Sequence, residues 1–269
     1  MRAPRRPRPV VTALATALCA ALAAGAAACG PSSTTGTGAG TGTTGTGPGT
    51  TSPATTPGGP FADLTGDRIA DKALAATRNA RSLTMDVSLT TADGPIKAYV
   101  SADTGGKCSG TMTVGTAGTA ELIKPDATTA YVRFDEAFLR EESKGESPEV
   151  QAAVLKELKG RWTKMAVSDP DARDMVELCD LKRLLSAFEG GSGAVKGAET
   201  TVGGRKALAL TEKDGAETYT LHVATEGTPH LLRIATTGGE EPMTVTFSGY
   251  GKPVTARVPA AKDVVAPAG

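Results

Sequence analysis

Four cysteines and two histidines are the residues of this chain best suited to covalent, redox or proton chemistry, and their spacing decides what is open to them. Cys19, Cys29, Cys108 and Cys179 contain no C-x-x-C pair, so neither a zinc site nor a thiol exchange motif is spelled out. Cys29 directly follows Ala26-Ala27-Ala28, small residues of the kind found at a processing site, which places its sulfur for modification. Cys108 and Cys179 are expected to pair as a disulfide in an oxidising compartment, the alternative being two buried free thiols. Closing a loop of about 70 residues stabilises by roughly 4 kcal/mol in the chain-entropy description. His222 shares its strand phase with Thr220 and opposes Leu221 and Val223, so it is expected to face solvent; His230 follows Pro229 at a strand start. Neither has a partner in sequence that would make it a catalytic base or a metal ligand. There is no G-x-S-x-G, S-x-x-K, H-E-x-x-H or Walker A sequence. The single G-x-G-x-x-G, Gly40 to Gly45, has no strand before it and no helix after it. Glu136, Glu141 and Glu142 with Arg140 and Lys144 read as a solvated helix face and Glu240-Glu241 as a hairpin tip, whereas acid–base work needs buried carboxylates. The reading is therefore of no enzyme, no metal and no cofactor.

The elements around these residues begin with an export signal. Arg2, Arg5, Arg6 and Arg8 precede an apolar run from Val10 to Ala24 and then the small residues before Cys29, the layout of a secretory signal peptide over residues 1–28. The apolar run is shorter than the roughly 20 residues that a membrane-spanning helix requires. Small residues immediately before a cysteine resemble the lipobox of bacterial lipoproteins, which implies that Cys29 becomes the first mature residue and carries diacylglycerol. Ala26 stands where that motif usually has Leu, and Ala26-x-Ala28 equally suits an ordinary signal peptidase that would release a soluble protein. Acyl chains bury at about 0.8 kcal/mol per methylene, so two chains hold a domain firmly where one holds it marginally. The expected location is the outer face of the cytoplasmic membrane.

Four of the 29 basic residues lie in the signal and none of the 29 acidic ones do, which leaves 25 against 29 and a net charge of −4 for the mature chain. That balance does not point to nucleic acid as a partner. Residues 29–60 hold the anchor cysteine and a Gly, Thr, Ser, Pro and Ala tether that lacks apolar periodicity, with a root-mean-square reach of about 30 Å if it is a flexible coil. Residues 61–269 then suffice for one domain with a single core. Aromatic residues make up only 4% of the chain, so aliphatic side chains must build that core.

Within the domain, Ile69, Ala73, Ala76 and Ala80 repeat at helical spacing over Asp63 to Arg81, with Asp63, Thr65 and Asp67 near the start as acceptors. Period-two alternation follows: Met85, Val87 and Leu89, the turn Ala92-Asp93-Gly94-Pro95, then Ile96, Ala98 and Val100, Met112 and Val114, Ala120 and Leu122, and Ala130, Val132 and Phe134. Helical periods return between Asp135 and about Glu189, notably over Pro148 to Leu158 and Asp180 to Phe188, with Trp162 between them. A second strand block carries Leu208 and Leu210, Tyr219, Leu221 and Val223, Leu232 and Ile234, and Val245 and Phe247, ending near Val254. One-sided alternation over about ten or eleven strands gives an α+β fold: a curved antiparallel sheet, a half-barrel, covered on its concave side by helices.

The closing third carries a family likeness. Tyr219-Thr220-Leu221-His222-Val223, Gly227-Thr228-Pro229-His230-Leu231-Leu232-Arg233-Ile234 and above all Phe247-Ser248-Gly249-Tyr250-Gly251-Lys252-Pro253-Val254 resemble the last strands and exit of the LolA/LolB-like half-barrel lipoproteins, in particular the LppX/LprG type. The likeness in element order covers Asp63 to Val265, and the long tether and scarcity of aromatics depart from it. It implies a holder of lipid or lipidated small molecules in a cavity between sheet and helices. The inward-phase positions Met85, Val87, Leu89, Val100, Met112, Leu122, Val132, Leu221, Leu232 and Phe247 are the expected lining. Small residues such as Ala98, Ala120 and Ala130 leave room for a chain; the same residues packed tightly against Leu155, Leu181 and Leu184 would leave none. The sequence reading is thus a monomeric, membrane-anchored lipoprotein that binds and carries a hydrophobic ligand, or else a tethered protein-interaction or sensory module with a filled core.

Overall fold

The computed structural model describes residues 59–265 except 171, 187 and 189–192. The export signal, Cys29 and all of the tether before residue 59 lie outside the described residues.

Twelve strands form one open mixed sheet in the order β12-β6-β5-β4-β3-β2-β1-β11-β10-β9-β8-β7, with β12 and β7 as its edges. An uninterrupted antiparallel meander runs through β1 (Ser82–Thr91), β2 (Gly94–Asp103), β3 (Cys108–Val114), β4 (Gly118–Lys124) and β5 (Thr129–Phe134). The second block, β7 (Val195–Val202), β8 (Arg205–Asp214), β9 (Glu217–Ala224), β10 (Leu231–Thr237) and β11 (Met243–Ser248), joins it where β11 pairs with β1. The count exceeds the expected ten or eleven because β6 (Trp162–Ala166) and the two-residue β12 (Val264–Val265) extend one edge, the second of these pairing in parallel. Both are too short for alternation to announce them.

Among the described residues five α-helices accompany the sheet: α1 (Gly66–Arg78), α2 (Glu136–Glu142), α3 (Pro148–Leu158), α4 (Arg173–Glu177) and α5 (Leu181–Ser186). Thr65 caps α1, its hydroxyl accepting from the Arg68 N–H, and Ile69, Ala70, Ala73, Leu74 and Thr77 form its buried face. At the other side of the sheet, Asp135 caps α2 by accepting from the Phe138 N–H at 2.8 Å, and its second oxygen accepts from the Thr119 N–H of β4 at 2.9 Å. That close approach requires Gly118, whose φ is +119° and whose missing Cβ would lie 2.3 Å from the Phe138 nitrogen. In contrast, α3 is capped by Ser147 and starts with Pro148 but buries none of its residues.

One large core cluster lies on the concave side, built almost wholly from aliphatic residues of α1, α4, α5 and the inner strand faces. A second, small cluster of Val202, Ala207, Ala224 and Leu232 is separate from it.

Candidate functional site: the concave apolar face

Strand register lines up two apolar rows across the inner face. One runs Val245, Val87, Ala98, Met112, Ala120, Phe134; the next runs Phe247, Met85, Val100, Gly110, Leu122, Val132. The opposite phase of the same strands is polar and exposed, as at Asp86, Ser88, Thr90 and Lys97. This is the one-sided sheet that alternation demands, and its inner face is where a hydrophobic ligand would lie.

The helices cover that face unevenly. Above Met112 and Ala120, Met175 of α4 and Leu178 close a void of about 10 Å³, which Val100, Cys108, Gly110, Thr111 and Leu122 also line. A void of that size holds about one water-sized sphere and no hydrocarbon chain. At this place Met175 and Leu178 fill most of the space that the small residues Gly110 and Ala120 leave. In the middle of the sheet the cover is thinner. Val87 and Ala98 point to the inner face yet remain half-buried, as do Val114 and Phe134, while Met85, Leu89, Ile96 and Val100 around them are buried. The flanks of this gap are aromatic. Phe134 stacks on Phe138 with ring centroids 4.6 Å apart, and Phe188 meets Phe247 edge-on at 5.6 Å.

Of the ten residues expected to line a cavity, Val100, Met112 and Leu122 line the small void. Met85, Val87, Leu89, Val132, Leu221 and Phe247 lie on or against the same core without touching it. Leu232 does not take part: a bulge between Leu231 and Arg233 breaks the register of β10 with β9, and Leu232 enters the separate cluster with Val202, Ala207 and Ala224. Met175 and Leu178 were not readable as lining, since α4 is a five-residue helix with no period to detect.

The cover is held by few attachments. Cys108 of β3 and Cys179 are joined in a disulfide, both cysteines buried, which fixes the turn between α4 and α5 to the sheet. Arg78 at the end of α1 donates to the carbonyls of Leu185 and Phe188. On α2, the Glu136 carboxyl is held below its ordinary range by Lys159 first and Arg140 second, both at the surface. A carboxylate paired in this way is the opposite of a raised, buried acid.

Both histidines sit away from the concave gap. His222 occupies the outer phase as expected, opposite Ala209 and Arg233, but it is half-buried and its Nδ1 has no hydrogen-bond partner among the described residues. Burial, then the neighbouring Arg233, lowers its pKa. His230 stacks on Tyr250 with centroids 4.0 Å apart. The Tyr250 hydroxyl donates to the Leu231 carbonyl at 2.6 Å, and the Leu231 N–H donates to the hydroxyl of Thr77 at 3.0 Å. The family-like Phe247–Val254 run therefore works as a structural lock between α1 and β10. No group of acidic, histidine or cysteine side chains suited to hold a metal occurs among the described residues.

No protein-family model matches the chain, and no curated protein matches it in sequence. Solved structures do resemble it. LprF from Mycobacterium bovis is 14% identical, with a TM-score of 0.48 over 73% of this chain and 97% of that one. The Mycobacterium tuberculosis lipoprotein LppX is 14% identical, with a TM-score of 0.44 over 71% and 98%. MucB of the Pseudomonas aeruginosa MucA/MucB complex is similar over 74% of this chain and 62% of its own, at 11% identity and a TM-score of 0.33.

Proposed function

We propose that this protein is a lipid-anchored, extracytoplasmic carrier that holds a hydrocarbon chain of a lipid or lipidated molecule against the concave face of its sheet. The observation that carries the reading is the pair Val87 and Ala98: inward-facing apolar residues in the middle of the sheet that the helices leave half-buried. An apolar floor in partial contact with water gains about 25 cal/mol for each Å² that a chain covers. Room for a longer chain comes from shifting Met175 and Leu178 off Met112 and Ala120, where the void already begins, about the fixed point at Cys179. In this reading residues 1–28 are removed, Cys29 carries the anchor, and the tether sets how far the domain reaches. The chemistry is binding and release, with no catalytic residue.

A fluorescent fatty-acid probe tests the proposal. Saturable uptake by the purified protein is expected, and Ala98→Trp, which fills the gap, is expected to weaken it about tenfold or more. No uptake by the parent protein contradicts the proposal. The near-closure of the void favours a second reading, a tethered interaction module with a filled core, which predicts the same probe fluorescence with and without protein.

A further inference from the structure

A second feature lies outside the concave face and does not depend on the acyl-chain reading. Where β11 ends, residues 249–253 turn across the outer face of β1: the Gly251 N–H donates to the Ser82 carbonyl at 3.0 Å, and the Ser82 hydroxyl donates to the Lys252 carbonyl at 2.7 Å. Between this segment and the β2–β3 turn lies an open polar groove of about 260 Å³ lined by Arg81, Ser82, Asp103, Thr104, Gly105, Gly251, Lys252 and Pro253. Arg81 and Lys252 are exposed, and among the described residues neither side chain is in an ion pair or a hydrogen bond. The one carboxylate in the groove, Asp103, is engaged as acceptor of the Lys107 N–H at 2.9 Å. Two glycines in its wall let a ligand approach the backbone closely. The register places Lys107 and Lys124 at this same end of the sheet together with Asp126 and Glu226; Lys124 donates to the Gly106 carbonyl at 2.6 Å and Glu226 is paired with Lys206.

We propose that this groove binds a phosphate group between the Arg81 guanidinium and the Lys252 ammonium. A forked guanidinium beside a point-like ammonium suits a tetrahedral dianion or a phosphodiester better than a planar carboxylate, which one arginine alone would satisfy. Either a phospholipid headgroup or a soluble phosphate presents that chemistry.

Inorganic phosphate titrated into the purified protein, followed by the amide NMR signals of Gly105, Gly106 and Gly251, tests the site. Saturable shifts at these residues are expected, and sodium chloride at equal ionic strength should not produce them. R81Q/K252Q is expected to weaken binding by about tenfold or more without moving the thermal midpoint, since neither side chain holds the fold. Competition by phosphatidylglycerol vesicles, and not by phosphatidylcholine vesicles, assigns the site to an anionic lipid headgroup; phosphate binding without such competition assigns it to a soluble phosphate. Shifts that fail to saturate, that chloride reproduces, or that persist in R81Q/K252Q overturn the proposal.

Discussion

The two covers of this sheet are built on different principles. α1 packs over the β7–β11 half with a fully buried face, Ile69 and Ala73 at 0% exposure, and a buried polar lock in which Thr77, Tyr250 and Leu231 satisfy one another. Over the β2–β6 half, α2 seats Phe138 and Leu139 against the sheet, α3 buries nothing, α4 is five residues long, and a disulfide supplies the covalent hold. The first is cemented by area and satisfied hydrogen bonds; the second is pinned at a few points. Local opening is therefore expected at lower free energy in the second cover than in the first.

Breaking the pin should have the largest effect. Replacing both Cys108 and Cys179 by Ser is expected to remove about 4 kcal/mol of stability, the chain-entropy worth of a loop closed across 71 residues, as measured by denaturant unfolding. In the same variant, faster uptake of an acyl probe would show that the disulfide holds the cover down. Next comes the cemented half: Ile69→Ala should cost about 2 to 4 kcal/mol from lost burial and a cavity, while Leu155→Ala on α3 should cost under about 1 kcal/mol. Equal losses at the two sites would erase the distinction between the covers. Thr77→Val leaves the buried Leu231 N–H without its acceptor and is expected to cost about 1 to 3 kcal/mol, with loss of hydrogen-exchange protection at Leu231 as its local sign.

The smallest effect is electrostatic. His222 and His230 both have pKa values held below the ordinary 6.5, by burial first and by Arg233 and Arg205 respectively second. Below pH 6.5 the unfolded chain therefore binds more protons than the folded one. Their contribution is full above pH 6.5 and is lost as pH falls through the folded values. H222Q and H230Q should each flatten the fall in thermal midpoint as pH drops below about 6.5.

Legibility in the sequence followed the length and regularity of each element. The Asp93-Gly94 turn and the alternation around it mark β1 and β2, and Gly94 takes the positive φ, +118°, that such a turn needs. The α3 span, Pro148 to Leu158, is readable because Ser147 and Pro148 announce its start. The edge strands β6 and β12 were not readable, since five and two residues carry too little periodicity. The inward phase of most lining candidates follows from alternation alone, but a single bulge reversed the face of Leu232, and the adjacent pair Leu231-Leu232 was the one visible hint of it. How far the cover closes depends on where Met175 and Leu178 settle, and that is a tertiary property without a local pattern.

Native mass spectrometry of the protein isolated gently from the cells that make it shows whether the concave face takes a hydrocarbon chain. A bound species of lipid mass that Ala98→Trp abolishes is the expected result. A parent protein without any such non-covalently bound species would contradict the carrier reading.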